Sequence, residues 1–298
     1  MNGEAGRRAA RSAQKRQLVL VIALTGAVLV IEAAGGFLSG SLALLSDAGH
    51  MLTDLLALVL SLMAVRFASL PATPEKTYGY HRLEILTALV NGTLLIVVSA
   101  ALLYKAVRRY LDPVPIDTGL MIPIALLGLL SNLVCLAILS RSRESLNIRG
   151  ARMHLIGDSL SSAGVLLAAL LILGTGWNRL DPIVGGGIAV VIGVGAVRLV
   201  REAADVLLEA TPAGIGLDEV SRAIAAVPGV IEVHDLHIWS ITTGLPALSG
   251  HVRVDDGHSS GTDEMLSRIK QMVRDRFGIV HTTLQIESGS YQDLGDIH

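Results

Sequence analysis

The chain has 298 residues, of which 51% are hydrophobic and only 17% are charged. This balance is too apolar for an ordinary soluble domain and predicts a polytopic α-helical membrane protein. A formal net charge of −2 is not that of a nucleic-acid-binding protein. The one cysteine, Cys135, excludes both an intrachain disulfide and a thiolate metal cluster.

Residues 1–16 form a polar, basic tail, which we expect to be cytoplasmic, and six apolar runs follow it. Each run is close to the ~20 residues that a helix needs to cross a bilayer. The predicted spans are 17–38, 42–67, 82–107, 117–139, 152–174 and 181–200. The sixth is rich in glycine, which favours close packing of membrane helices. The sequence therefore predicts a six-helix transmembrane domain over 17–206.

The distribution of basic residues predicts the orientation of these spans. If the amino terminus is cytoplasmic, the segments on that side hold fourteen Lys or Arg residues and those on the other side hold four. Basic residues are retained on the cytoplasmic side of membranes. We therefore expect a multi-pass protein of the cell (inner) membrane, embedded in the lipid bilayer with both termini in the cytoplasm.

The composition becomes that of a soluble domain after about residue 206. The predicted elements are a helix at 217–227, strands at 230–241 and 247–254, a helix at 262–277 and a strand at 279–287. This αββαβ order predicts a small α+β domain with both helices on one face of the sheet. We place this cytoplasmic domain at 207–290, followed by a polar tail at 291–298.

Three ionisable side chains, Asp47, His50 and Asp54, lie within the second span. A charged residue at the bilayer centre costs roughly 2.5–3.5 kcal/mol on insertion scales, so such residues indicate function. His50 and Asp54 are four apart and share a helix face. The fifth span repeats this spacing with His154 and Asp158.

Asp47 is about two turns from Asp54, roughly 10 Å. Three roles remain open for it: lining the ion path, bonding a neighbouring helix, or binding the ion transiently.

Two imidazoles and two carboxylates satisfy a four-coordinate cation such as Zn²⁺. Hard cations prefer cages of oxygen, and Cu(I) prefers sulfur. Two ionised aspartates also balance the charge of a divalent ion in a medium of low dielectric constant. One His-x-x-x-Asp pair in each half of the domain is the pattern of a midplane site between inverted repeats. The alternative is that each pair is a hydrogen bond that braces its own helix.

Several segments resemble the cation diffusion facilitator family, and its zinc-transporter branch in particular. They are GSLALLSDAGHMLTD, GYHRLEILTALVNG, LDPVPI, MHLIGDSLSS, DPIVGGGIAV, LLEATP, VHDLHIWSIT and HTTLQIES, and together they extend across most of residues 17–288. The resemblance implies a homodimer of six-helix subunits with cytoplasmic metallochaperone-like domains. It implies export of Zn²⁺ in exchange for protons, with Cd²⁺ and Co²⁺ as further candidate substrates. The transport site that it implies consists of His50, Asp54, His154 and Asp158.

The resemblance also implies a second zinc site in the cytoplasmic domain, formed by His234, His251 and Glu287, where the ion is a structural or regulatory ligand. His281 is a further candidate there. His81, in the loop between the second and third spans, is either a weak loading site or an ordinary interfacial histidine.

Strand alternation makes a separate prediction for the histidines of the first strand. His234, Leu236 and Ile238 should share one face, and His237 and Trp239 should lie on the other. His251, on the next strand, is a candidate to lie across from His234. The alternative is that these are ordinary polar histidines on the surface of the sheet.

Two acidic residues remain outside these sites. Glu32 in the first span and Glu84 near the start of the third serve either helix–helix hydrogen bonding or proton handling.

Three classes of function are compatible with a metal site between membrane helices. The leading hypothesis is a secondary active transporter that exports Zn²⁺ by proton antiport through a tetrahedral site at mid-membrane. A metal sensor or storage protein would bind the ion without moving it. An intramembrane metalloenzyme would keep an open coordination position, whereas four protein ligands close this one and no HExxH motif occurs. We therefore expect that the chain is not an enzyme.

Overall fold

The computed structural model describes residues 22–68, 70–140, 146–255, 262–289 and 291. Within these ranges the side chains of residues 54, 57–68, 139, 146–151, 153 and 154 are not described.

Among the described residues from 22 to 207, the structure forms six long helices. They are α1 (Ile22–Ser39), α2 (Leu42–Ala68), α3 (Leu83–Leu111), α4 (Thr118–Ser140), α5 (Leu146–Thr175) and α6 (Leu180–Leu207). Five of them are long and apolar enough to cross a membrane. The other, α2, has 27 residues, coincides with the predicted second span and carries Asp47, His50 and Asp54.

The remaining elements form a small α+β domain in the predicted order. They are α7 (Leu217–Ala225), β1 (Val230–Thr242), β2 (Leu245–Val254), α8 (Thr262–Phe277) and β3 (His281–Ser288). The sheet has the order β1-β2-β3, with β1 and β2 antiparallel and β2 and β3 parallel. Both helices contribute to one buried core, which contains Val220, Ile224, Ile238, Leu248, Val252, Met265, Ile269 and Val273. The predicted αββαβ domain, with both helices on one face, is confirmed.

The chain divides into two compact units. One contains the described residues of Met1–Val59 and of Asn91–Arg198, and the other contains those of Leu60–Val90 and of Leu199–His298. The core of the first unit includes a cluster of small and larger apolar residues. Its buried members are Ala43, Leu44, Met121, Ala125, Val165 and Ala169, which bring α2, α4 and α5 together.

Glycines of α6 bring that helix close to α2 and α3. A β-carbon at Gly185 would lie 3.0 Å from backbone atoms of Leu42 and Ala43. A β-carbon at Gly193 would lie 3.0 Å from the Oγ of Ser99. The expected role of the glycine-rich sixth span, close helix packing, agrees with these contacts.

Asp181, at the start of α6, caps the amino end of α2. Its carboxylate accepts hydrogen bonds from the Ser41 Oγ at 2.5 Å, the Leu42 N–H at 2.7 Å and the Ala43 N–H at 3.1 Å. Arg109 lies 3.9 Å from the second oxygen of Asp181, whose side chain is fully buried. Free backbone N–H groups and the helix dipole make the start of a helix favourable for a carboxylate. Asp181 therefore fixes the amino end of the helix that carries His50.

We expect Asp181→Asn to lower the melting temperature of the detergent-purified protein markedly. The amide nitrogen faces donors that need an acceptor, and each buried donor left unpaired costs about 1–3 kcal/mol. Asp117→Asn is the matched control, because Asp117 caps α4 by accepting from Gly119 and Leu120 at an exposed position. Equal shifts in the two variants would contradict the prediction.

One expectation for β1 is wrong. His234 pairs with His251, and His237 pairs with Ser249. The two pairs are three residues apart along β1 but only two residues apart along β2. This extra residue is a β-bulge, and Asp235 adopts the left-handed conformation there, with φ of 48°. The bulge reverses the alternation. His234 therefore lies on the same face as His251 and His237, opposite the core face that holds Ile238, rather than sharing a face with Ile238.

Candidate metal sites

The structure brings together one histidine and one aspartate of the predicted transport site. The Nε2 of His50 on α2 lies 3.4 Å from the Oδ1 of Asp158 on α5. Asp158 is buried and His50 is partly exposed. The contact joins two helices, so it differs from the hydrogen bond within each helix that the alternative interpretation required.

The side chains of Asp54 and His154 lie outside the described residues. Their backbones belong to α2 and α5, one turn after His50 and one turn before Asp158 respectively. Residues four apart in a helix project from the same face. The helical spacing is therefore compatible with a site of four ligands. The structure gives side-chain positions for two of these residues, His50 and Asp158.

Asp47 has a different set of partners. Its carboxylate accepts hydrogen bonds from Ser161 at 2.7 Å and from Ser162 at 2.9 Å, and only 2% of the residue is exposed. Of its three open roles, the bond to a neighbouring helix is the one that these contacts describe. The serines lie three and four residues after Asp158 on α5, and the motif DSLSS is the sequence signal that could have indicated them.

The three predicted ligands of the cytoplasmic domain form one cluster. His234, His251 and Glu287 each offer a ligand atom, and these atoms all lie within 4.8 Å of one another. Glu287 Oε1 lies 2.9 Å from His251 Nδ1, and Glu287 Oε2 lies 3.3 Å from His234 Nε2. Glu287 is 2% exposed. Two imidazole nitrogens and a buried carboxylate are a donor set that suits Zn²⁺.

Asp235 and His237 lie beside this cluster as a pair. His237 Nε2 is 2.8 Å from Asp235 Oδ1, and the other carboxylate oxygen of Asp235 is 3.9 Å from His251 Nε2. The hydrogen bond with His237 is the main reason that the pKa of Asp235 is lowered from its ordinary value. An ionised carboxylate at this position adds negative charge next to the cluster.

His281 and His81 are not members of the cluster. They line a pocket of about 360 Å³ whose other residues are mostly apolar. The ring of His281 packs edge-on against Tyr78, with 5.7 Å between the ring centroids. Within the described residues, then, the loop before α3 contacts β3 at this pocket, and His281 lies outside the cluster that contains Glu287.

Glu84 and its neighbour Arg82 have partners in the same unit. Glu84 accepts a hydrogen bond from Thr242 at 2.8 Å, and Arg82 forms an ion pair with Glu209 at 2.7 Å. These contacts attach the start of α3 to β1 and to the segment after α6. Glu84 therefore has a hydrogen-bond partner on a strand, whereas one of its two interpretations expected a partner on another helix.

A His–carboxylate pair between two long helices and a separate His₂Glu cluster are the arrangement expected of a membrane protein that binds divalent metal ions. Comparison with family models agrees with this class. The cation efflux transmembrane domain matches residues 18–208, and the cytoplasmic domain of the cation efflux protein matches residues 212–289. The chain belongs to the cation efflux, or cation diffusion facilitator, family, whose members are transporters and not enzymes.

Three curated relatives are similar over most of their length. A cadmium, cobalt and zinc/H⁺-K⁺ antiporter of Bacillus subtilis is 39% identical, with 94% of this chain and 91% of that protein covered. The metal cation efflux system protein CzcD of Cupriavidus metallidurans is 42% identical over 92% and 86%. The zinc transporter ZitB of Escherichia coli is 38% identical over 91% and 87%.

One solved structure, the metal-bound C-terminal domain of the CzcD transporter from Cupriavidus metallidurans, is 44% identical to this chain. It is matched over 24% of this chain and 99% of that one, with a TM-score of 0.23.

Proposed function

We propose that this protein is a secondary active transporter that exports Zn²⁺ from the cytoplasm in exchange for protons. The observation that carries the proposal is the 3.4 Å contact between His50 and Asp158, which joins α2 and α5. Asp54 and His154 complete a His₂Asp₂ set in the proposal, and two ionised aspartates balance one divalent ion. The relatives named above, a zinc transporter and a cadmium, cobalt and zinc/H⁺-K⁺ antiporter, support the same substrate and an exchange that involves protons.

The chemistry of the ligands couples the ion to protons. An imidazole or carboxyl group must be deprotonated before it binds a metal, so ion binding releases protons. Histidine titrates near neutral pH, which suits a reversible exchange. Zn²⁺ entering from the cytoplasm displaces protons from His50 and His154, and protons from the far side later displace the ion.

The wider arrangement follows from the same proposal. Both termini lie in the cytoplasm of a multi-pass inner-membrane protein, and two copies form a homodimer. The domain boundaries are 17–206 for the transmembrane part and 207–290 for the cytoplasmic part. The cluster of His234, His251 and Glu287 binds a second Zn²⁺ that stabilises or regulates this cytoplasmic domain.

Sealed vesicles with an acidic lumen test the function. With purified protein in the membrane, we expect external Zn²⁺ to accumulate inside while protons leave, and an ionophore that collapses the pH gradient should stop the accumulation. Cd²⁺, Co²⁺ and Mn²⁺ in parallel assays report the selectivity. Zinc that binds without entering the lumen would indicate a sensor, and uptake indifferent to the pH gradient would contradict antiport.

A further inference from the structure

Glu32 on α1 is a buried acid without a hydrogen-bond partner among the described residues. The residue is 1% exposed, and neither carboxyl oxygen has a hydrogen bond there. The helix–helix hydrogen bond that was one of its two interpretations is therefore not formed by the part of the chain that the structure describes. Its carboxyl group lies against Gly128 of α4, in space that any β-carbon at that position would fill.

The space beside Gly128 leads to the polar groups around Asp47. A β-carbon at Gly128 would lie 3.7 Å from the Oγ of Ser162. Ser162 donates to Asp47 at 2.9 Å and accepts from the Asn132 amide at 3.3 Å. Ser162 is also one turn after Asp158 on α5, so Glu32 faces a network that begins next to the proposed transport site.

Two acidic side chains belong to the surroundings of Ser162. They are Asp47 from α2, which accepts the hydrogen bond of Ser162, and Asp158, which lies one turn before Ser162 on α5. The helix α4 brings Gly128 and Asn132 to this network, and neither residue titrates. An ionised carboxylate without donors in an apolar interior is strongly unfavourable, and two neighbouring carboxylates make it more so.

We propose that Glu32 is a proton-binding site of the transport cycle, which holds a proton while the transport site lacks an ion and releases it when the ion binds. A divalent ion at His50 and Asp158 offsets the negative charge that opposes ionisation of Glu32. The O–H bond of the carboxyl group breaks, the electron pair stays on the oxygen, and the proton passes to water. This inference rests on the proposed function, because it gives the antiporter a proton site separate from the metal ligands.

Infrared difference spectroscopy on the detergent-purified protein tests the inference at neutral pH. Addition of Zn²⁺ to the wild-type protein should remove the carbonyl stretch of a protonated carboxylic acid. We expect the change to be absent in Glu32→Gln and present in Asp117→Asn, a variant of an exposed carboxylate. A wild-type spectrum without the change would overturn the inference even if Glu32→Gln did not fold.

A second measurement counts protons directly. In weakly buffered detergent solution, a pH indicator reports the protons released for each Zn²⁺ bound, and we expect Glu32→Gln to release about one fewer than wild type. Equal release from both proteins would overturn the inference. Neither measurement uses a pH gradient, so a failure of wild-type transport in vesicles would count against the proposed antiport alone.

Discussion

Replacement of His50 by alanine is expected to lower the rate of zinc accumulation in sealed vesicles by about 100-fold or more. Loss of a partner outside the coordination shell already costs about 10–100-fold in affinity or activity at metal sites, and loss of a ligand costs more. The variant also leaves Asp158 without its 3.4 Å imidazole neighbour on α2. The initial rate of uptake into an acidic lumen measures the effect.

Two further variants are compared with His50→Ala in the same uptake measurement. Asp158→Asn should show a similar loss, because the amide removes the negative charge that the divalent ion needs. Leu52→Ala is the matched control on the same helix, since Leu52 is 45% exposed and has no role in the proposed site. If His50→Ala moved zinc at the rate of Leu52→Ala, the transport site would have to be elsewhere.

Glu287→Gln is expected to weaken zinc binding in the cytoplasmic domain by about 100-fold. The carboxylate of Glu287 contacts both histidines of the cluster, through one oxygen each. Glutamine keeps the shape but removes the charge, and the ligands of Zn²⁺ include carboxylates rather than neutral amides. Isothermal titration calorimetry of the full chain measures the affinity, with His50→Ala in both proteins so that the transport site does not contribute.

His237→Ala is the control for this cluster. The side chain of His237 is 45% exposed and pairs with Asp235, outside the three ligands. We expect its zinc affinity to stay within a few-fold of the parent protein. An equal loss in His237→Ala and Glu287→Gln would mean that the ion is bound at the Asp235–His237 pair.

The sequence predicts the helices and the αββαβ domain because hydropathy, spacing and strand composition are local properties. Helical spacing also predicts that His50 and Asp54 share a face, which stays a prediction because the side chain of Asp54 lies outside the described residues. The contact between His50 and Asp158 is a different kind of result, because it depends on how α2 packs against α5. Two identical His-x-x-x-Asp motifs indicated that contact, and the structure supplies its distance.

Three features could not be predicted from pattern alone. Strand alternation assumes a regular strand, so the bulge at Asp235 reversed the expected face of His234. Asp181 is close in sequence to Pro182 at the start of its own helix, and nothing local shows that its carboxylate caps α2. In the sequence, an acid that bonds a neighbouring helix looks the same as an acid that handles protons. Only the positions of the neighbours of Glu32 in the structure distinguish these two roles.

The attachment of α2 has a mechanical consequence. Asp181 holds the amino end of this helix, and the serines of α5 hold Asp47 less than two turns further on. Both anchors are buried hydrogen bonds to carboxylates, which are costly to break. His50 and Asp54 come after the second anchor, so the proposed ligands of α2 lie on the part of the helix that follows both anchors. A small bend between Asp47 and His50 would separate the imidazole from Asp158 while both anchors persist.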